Sequence, residues 1–296
     1  MTRILLILTI FLLDTNYSNA ENEIKEVDKD RPAISYKITP KLNLYSDKVY
    51  QGRQIVVSII QNDIENAYLE FNNKKYKVLS KKVFIPIHPE TKEGTYTIKL
   101  LNNEKIESEI NLKVLKNYFS SQKITYYKPK LSKEEEEKIK REEALVEDAK
   151  QIITDKQLWD SPFILPVPHR VSSLYGIKRY LNGKRNGYHG GVDFASPFGY
   201  PIKAINNANV TLAKYFSKYN SNGNIVFLNH GLGVSSAYLH LNKIVVKEGD
   251  YVKKGQTIGY IGSSGRSTGP HLHWSVYLYG QNTDGLAWTN LTKSIK

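Results

Sequence analysis

Between about Tyr36 and Val114, apolar and polar residues alternate in short runs. Tyr96, Ile98 and Leu100 share one parity against Thr95, Thr97 and Lys99. Ile106, Ile110, Leu112 and Val114 share another against Glu107, Glu109, Asn111 and Lys113. Side chains of a strand point to opposite faces with period two, so each run predicts a strand with one buried face. Asn102-Asn103 between them predicts a hairpin turn. Residues 49–60 and 82–87 read as further strands. Short strands at this spacing predict a small Ig-like β-sandwich over residues 36–115. It holds no cluster of reactive residues, which leaves it a docking, spacing or covering role.

The period changes after residue 131. Ser132 with Glu135 forms a capping-box pattern, and a helix is expected from Ser132 to about Trp159, within a connecting region 131–160. Glu134/Lys138, Glu136/Lys140 and Glu137/Arg141 are spaced as (i, i+4) pairs on its exposed side. Ile139, Val146, Ala149 and Ile153 make a thin apolar stripe that should lie against one of the domains. Pro162, Pro166 and Pro168 end the helical pattern and open a third region, 161–296. There Ile225-Val-Phe-Leu, Ile244-Val-Val and Thr257-Ile-Gly-Tyr-Ile alternate with Gly/Asn turns, predicting a compact antiparallel sheet with a groove across one face. The fold class is therefore mainly β.

Residues 1–20 read as a secretory signal: Arg3, an apolar run over 4–13, and small residues at Ser18-Asn-Ala20. A polar leader follows at 21–35, and no later stretch is apolar enough to span a membrane, so the mature form is expected to carry no transmembrane segment. Export across the inner membrane implies a periplasmic, cell-wall-associated location. The chain has 0 Cys, which excludes disulfides and a lipid-modified N-terminal Cys, and removes thiolate from any metal set. The formal charge is +13, and the signal's Arg3 and Asp14 cancel, so the mature form stays equally basic. Export and the lack of a recognition motif argue against nucleic acid. An anionic matrix or a solvated Lys-rich surface fits better.

The chemistry concentrates near the C-terminus. Of 7 His, five fall from His189 onward. Gly190 and Gly191 disfavour a helix through His189-Gly-Gly-Val-Asp193, so His189 and Asp193 should share one strand face; His271 and His273 should share another. Two imidazoles and a carboxylate suit Zn²⁺ with a corner left for water, and one imidazole remains spare. Ser263-Ser-Gly-Arg-Ser-Thr-Gly269 is not a phosphate cradle, because it leads through Pro270 into a strand pattern rather than a helix; it reads as a loop shaping one wall of the groove.

Tyr188-His189-Gly-Gly-Val-Asp193, Asn229-His230-Gly-Leu-Gly, Tyr238-Leu-His240-Leu, Gly249-Asp250-Tyr-Val-Lys-Lys-Gly255-Gln and Gly265-Arg-Ser-Thr-Gly-Pro-His271-Leu-His273-Trp occur in one order. From about Phe163 to Gln281 the chain resembles the lysostaphin/LytM-type zinc peptidases of the M23 family, which cut peptide bonds in bacterial cell walls. The resemblance implies that His189, Asp193 and His273 bind zinc. It implies that His271 and His240 flank the reacting water, His271 as general base and His240 as partner or oxyanion stabiliser, with the two roles exchangeable. His230 is expected to be structural, and His88 and His169 ordinary. Tyr175, Ser264 and the Ala208-Asn209 turn depart from the family pattern without removing a ligand. The implied substrate is the peptide stems of peptidoglycan and the implied activity a secreted endopeptidase, with a D-Ala–diaminopimelate cross-link favoured and D,D-carboxypeptidase trimming alongside. The alternative is a non-catalytic LytM-like regulator of another wall hydrolase.

Overall fold

The computed structural model describes residues 37–38, 41–60, 66–127 and 129–295; the expected signal and leader lie outside these. The N-terminal strands are β1 Lys37–Ile38, β2 Leu42–Leu44, β3 Lys48–Tyr50, β4 Gln54–Ile59, β5 Ala67–Phe71, β6 Lys74–Lys77, β7 Lys82–Pro86, β8 Gly94–Asn102 and β9 Lys105–Leu115. They form two sheets, β1-β2-β4-β7 and β3-β9-β8-β5-β6, closing over Leu44, Val57, Leu69, Val83, Ile98 and Leu112. This is the sandwich that the alternation predicts.

Two local expectations shift. Residues 49–60 are not one strand: Gly52, at φ 81°, turns the chain, so β3 and β4 belong to different sheets. The hairpin turn is Asn103-Glu104, both in the left-handed region, one residue later than expected. A bulge just beyond it pairs Leu100 with Ser108 but Leu101 with Ile106, and this extra residue throws Ile106 to solvent.

β4 and β7 lack alternation because both their faces are covered. Ile55, Val57 and Ile85 face the sandwich core, while Val56 and Phe84 enter the core of the C-terminal half. Phe84 meets Trp288 edge to face at 5.0 Å and lies 6.1 Å from Trp159. Around this apolar contact, Arg53 pairs with Asp284 at 2.8 Å and Thr283 donates to the Gln54 side chain at 3.0 Å. The two halves are thus joined by shared core.

The connecting helix α1, Lys133–Gln151, starts on the predicted Ser132/Glu135 capping box. It ends at Gln151, eight residues before the expected Trp159, because the following chain leaves the helix to bond the sheet: Asn229 donates to the Ile152 carbonyl. Its ion pairs include Glu137–Lys140 and Glu147–Lys150, at i, i+3 spacing. Val146 and Ala149 pack as expected, whereas Ile153 is exposed.

The chain continues through β10 Ser121–Ile124 before α1, then β11 Val171–Ser173, β12 Lys178–Leu181, β13 Lys184–Tyr188, β14 Val192–Phe194, β15 Pro201–Lys203, β16 Ala208–Lys214, β17 Ile225–Gly231, β18 Val234–Leu239, β19 Leu241–Ile244, β20 Tyr251–Val252, β21 Thr257–Ile261, β22 Leu272–Leu278, β23 Gln281–Thr283 and the helix α2 Gly285–Ser294. The main sheet runs β11-β14-β22-β18-β17-β16-β20 and is antiparallel throughout, as expected. Ala208-Asn209 opens strand β16 instead of forming a turn. β17 and β18 are buried along their whole length: one face lies on the central core and the other under α1, where Val146 and Ala149 meet Leu212, Phe227 and Tyr277. β10 adds in parallel to the β12–β13 hairpin. Helix α2, capped by Asp284, had no sequence expectation attached to it.

Truncating Phe84 to Ala removes an aromatic ring that both halves share. It should cost about 3–5 kcal/mol, read as a lower urea midpoint; a change below about 1 kcal/mol contradicts a shared core.

Candidate metal centre and its imidazoles

Asp193 and His273 face each other directly as a cross-strand pair of β14 and β22. His189 reaches them by a different route from the one its spacing predicts. It stands past the end of β13, where its backbone N–H donates to the Ile177 carbonyl and its carbonyl accepts from Gly176. The chain then turns through Gly190-Gly191, so no continuous strand joins His189 to Asp193. Gly191 makes the turn possible by close approach: a Cβ there would come within 2.7 Å of His273 Nε2 and run into the Trp274 carbonyl.

The three side chains converge. His189 Nε2 lies 3.0 Å from Asp193 Oδ1 and 3.0 Å from His273 Nδ1, and His273 Nδ1 lies 2.8 Å from Asp193 Oδ1. They form a group able to hold a metal ion. The outer hydrogen bonds decide what these atoms present. His189 Nδ1 is 2.8 Å from the Leu174 carbonyl, which can only accept, so this nitrogen carries the proton and Nε2 presents a lone pair. Ser275 Oγ donates to the Gly190 carbonyl, leaving its lone pair to receive His273 Nε2–H at 2.9 Å; His273 Nδ1 then also presents a lone pair. Two imidazole lone pairs and a carboxylate oxygen pointing at one another repel unless a cation sits among them. Hard-to-borderline N/N/O donors with outer groups fixing each tautomer fit Zn²⁺.

His240 and His271 stand beside this triad. Their rings are 4.7 Å apart, and His240 is 6.2 Å from His273. Leu239 pairs with His273 across β18 and β22, and His240, at φ 65°, turns off the strand end into the site. A non-glycine residue held in the left-handed region is strained, and here the strain aims an imidazole. His240 Nδ1 donates to the Ser264 carbonyl at 2.9 Å and His271 Nδ1 to the Gly269 carbonyl at 2.9 Å, with Ser267 Oγ 3.1 Å away. Both rings therefore keep an unprotonated Nε2. Burial, then the charges of His273 and His271, push the His240 pKa down to about 3.

The expected groove wall over 263–269 is extended by residues that carry no signal in the sequence. Tyr126 N–H donates to the Asn182 side chain at 2.9 Å and its carbonyl accepts from it at 2.7 Å, which ties the chain before α1 to the β12–β13 hairpin. Arg266, in the loop over 263–269, lies 5.3 Å over the Tyr126 ring. Arg179 of β12 is close enough to feel the charges of Asp193 and Arg266. Ser275 was detectable, standing two residues after His273 on the same strand face; Tyr126 and Arg179 carry no local signal.

The remaining histidines lie apart. His230 is fully buried; Nδ1 donates to the Asn207 carbonyl at 2.9 Å and Nε2 is 2.9 Å from Ser236 Oγ. His169 is held by Ser196 at 2.8 Å, and His88 packs edge to face on Tyr188.

Residues 187–285 match peptidase family M23. A peptidoglycan DD-endopeptidase, ShyA of Vibrio cholerae serotype O1, is 37% identical over 118 residues, 40% of this chain and 27% of that protein. Lysostaphin of Staphylococcus staphylolyticus is 46% identical over 101 residues, 34% of this chain and 21% of that protein. The matched part thus spans less than a third of either relative. A solved structure described as an M23 peptidase from Pseudomonas aeruginosa superposes with a TM-score of 0.58 at 26% identity, over 81% of this chain and 94% of that one. Residues 187–285 thus carry a peptidase family M23 domain, and M23 is a metallopeptidase family.

Gly191→Ala should drive β14 away from β22 and separate Asp193 from His273. Zinc titration is expected to give at least tenfold weaker affinity, in the range of a lost outer partner; wild-type affinity contradicts the close-approach argument. Burial holds His230 neutral, with its pKa pushed down to about 4 from 6.5. A depressed folded pKa means this contribution is complete above pH 6.5 and drains away as pH falls toward 4. It amounts to roughly 3 kcal/mol. In urea titrations the stability gap between wild type and His230→Asn should therefore narrow from pH 7 to pH 4.5; a constant gap contradicts it.

Proposed function

We propose that this chain is a zinc endopeptidase acting on peptide cross-links of bacterial peptidoglycan outside the cytoplasmic membrane. The observation that carries this reading is the convergence of His189 Nε2, Asp193 Oδ1 and His273 Nδ1, with two further unprotonated imidazole nitrogens alongside. The relatives named above for peptidoglycan cleavage support the substrate class. Within it we favour a D-Ala–diaminopimelate bond, with trimming of a terminal D-Ala alongside.

Zn²⁺, when held by His189, Asp193 and His273, supplies Lewis-acid polarisation and makes water acidic enough to lose a proton near neutral pH. The chain's own groups manage the proton. His271 Nε2 takes it from the attacking water and returns it to the leaving amine nitrogen. The Gly269 carbonyl and Ser267 hold its ring in the tautomer that permits this. His240 stays neutral, because burial opposes its charging, and its Nε2 accepts a hydrogen bond that aligns the water. It has no proton on that nitrogen to offer an oxyanion, so the orienting role suits it better. A non-catalytic regulator would need neither outer imidazole, which favours the enzyme over that alternative.

His271→Ala should keep one zinc per chain yet lower hydrolysis by about 10²–10⁴-fold. Metal analysis together with mass spectrometry of muropeptides released from defined peptidoglycan checks both halves. Near-normal turnover removes the proton-transfer role, and absence of released cross-link products from the zinc-loaded wild type removes the peptidase reading.

A further inference from the structure

Among the described residues, two guanidinium groups beside the imidazoles have no counter-ion. Arg179 is half-buried on β12, its Nε lies out of solvent with no hydrogen-bond partner, and no carboxylate among the described residues pairs with it. Asp193, whose charge it feels, is already engaged by His189 and His273. Arg266 is exposed, lies over the Tyr126 ring and has no ion pair among the described residues. Both are held in place. β12 is fixed by β10 on one edge and β13 on the other, with Gln122 in register beside Arg179. Arg266 rests on Tyr126, which is clamped to Asn182 at the tip of that same hairpin. The Arg266 loop also supplies the Ser264 and Gly269 carbonyls that orient His240 and His271. The two guanidiniums are near enough to one another for Arg179 to feel the charge of Arg266.

A half-buried guanidinium such as Arg179 that also feels the positive charge of the exposed Arg266 is unfavourable unless an anion joins them. A divalent ion in the triad sharpens the point, because it leaves one net positive charge after Asp193 and adds to the two arginines. Planar forks of N–H donors match a carboxylate. We infer that Arg179 and Arg266 form a carboxylate-binding subsite that selects peptides carrying a free carboxylate next to the bond to be cut. This rests on the peptidase reading above and adds to it a determinant of specificity. The carboxylate has two sources: the C-terminus of the peptide, or the free carboxyl of an internal residue such as diaminopimelate.

The test uses the zinc-loaded full-length chain and four peptides. These are a stem peptide ending in D-Ala-D-Ala with a free or amidated terminus, and a cross-linked dimer with the diaminopimelate carboxyl free or amidated. Cleavage kinetics and calorimetric binding are both measured. Amidation of the recognised carboxylate should raise KM by about 10–100-fold with kcat changed less than about threefold, in the range of a charge-assisted hydrogen bond lost. Whichever amidation has the effect identifies the source. Arg179→Gln should impose the same penalty on the free-carboxylate peptide and none on its amide, and Arg179→Lys should recover part of it. Arg266→Gln repeats the test should Arg179→Gln fold poorly. Equal handling of free and amidated forms of both peptides overturns the subsite and leaves the peptidase reading intact. Absence of cleavage for all four peptides sinks the peptidase reading, and binding that still discriminates free from amidated termini then upholds the subsite separately.

Discussion

Three atoms that should repel one another set the terms for this domain. His189 Nε2, Asp193 Oδ1 and His273 Nδ1 sit within hydrogen-bonding distance, yet the Leu174 carbonyl and Ser275 hold each ring so that lone pairs face inward. Such an arrangement costs free energy in the absence of a cation. The fold meets that cost with the rigidity of its surroundings: β14 and β22 are paired through Val192, Asp193 and Phe194, and β22 lies inside a sheet covered on both faces.

The same logic explains features that otherwise look local. Gly191 is a glycine because the chain must cross over Trp274 and His273 at contact distance. His240 accepts a left-handed backbone because the strand end must turn its ring inward. Helix α1, far from the chemistry, matters because it seals the outer face of β17 and β18, and Glu142 reaches from it to Ser217 and Asn220 beside the loop that holds His240. The N-terminal sandwich contributes Val56 and Phe84 to the central core, so it is part of the scaffold that keeps the sheet in place as well as a neighbour of the site.

Much of this was legible beforehand because period-two patterning and glycine-flanked histidines are local signals. The sandwich, the capping box and the antiparallel sheet follow from residues a few positions apart. The pairing of Asp193 with His273 needs long-range register, and the motif's order along the chain, through resemblance, stood in for it. What stayed hidden is what depends on contacts between distant segments. The strand β10, the Tyr126–Asn182 clamp and the unpaired Arg179 arise only when the linker meets the hairpin. Ile106 was misplaced because a bulge reverses parity without any mark in the composition. The helix was read too long because its end is set by Asn229 on another element.

Zinc K-edge X-ray absorption on the full-length chain tests the central claim most directly. One ion per chain with two imidazole nitrogens, one carboxylate oxygen and a light exchangeable oxygen is the result this account predicts. A zinc shell closed by a fourth protein ligand, or one unchanged when Asp193 is replaced by Ala, contradicts it.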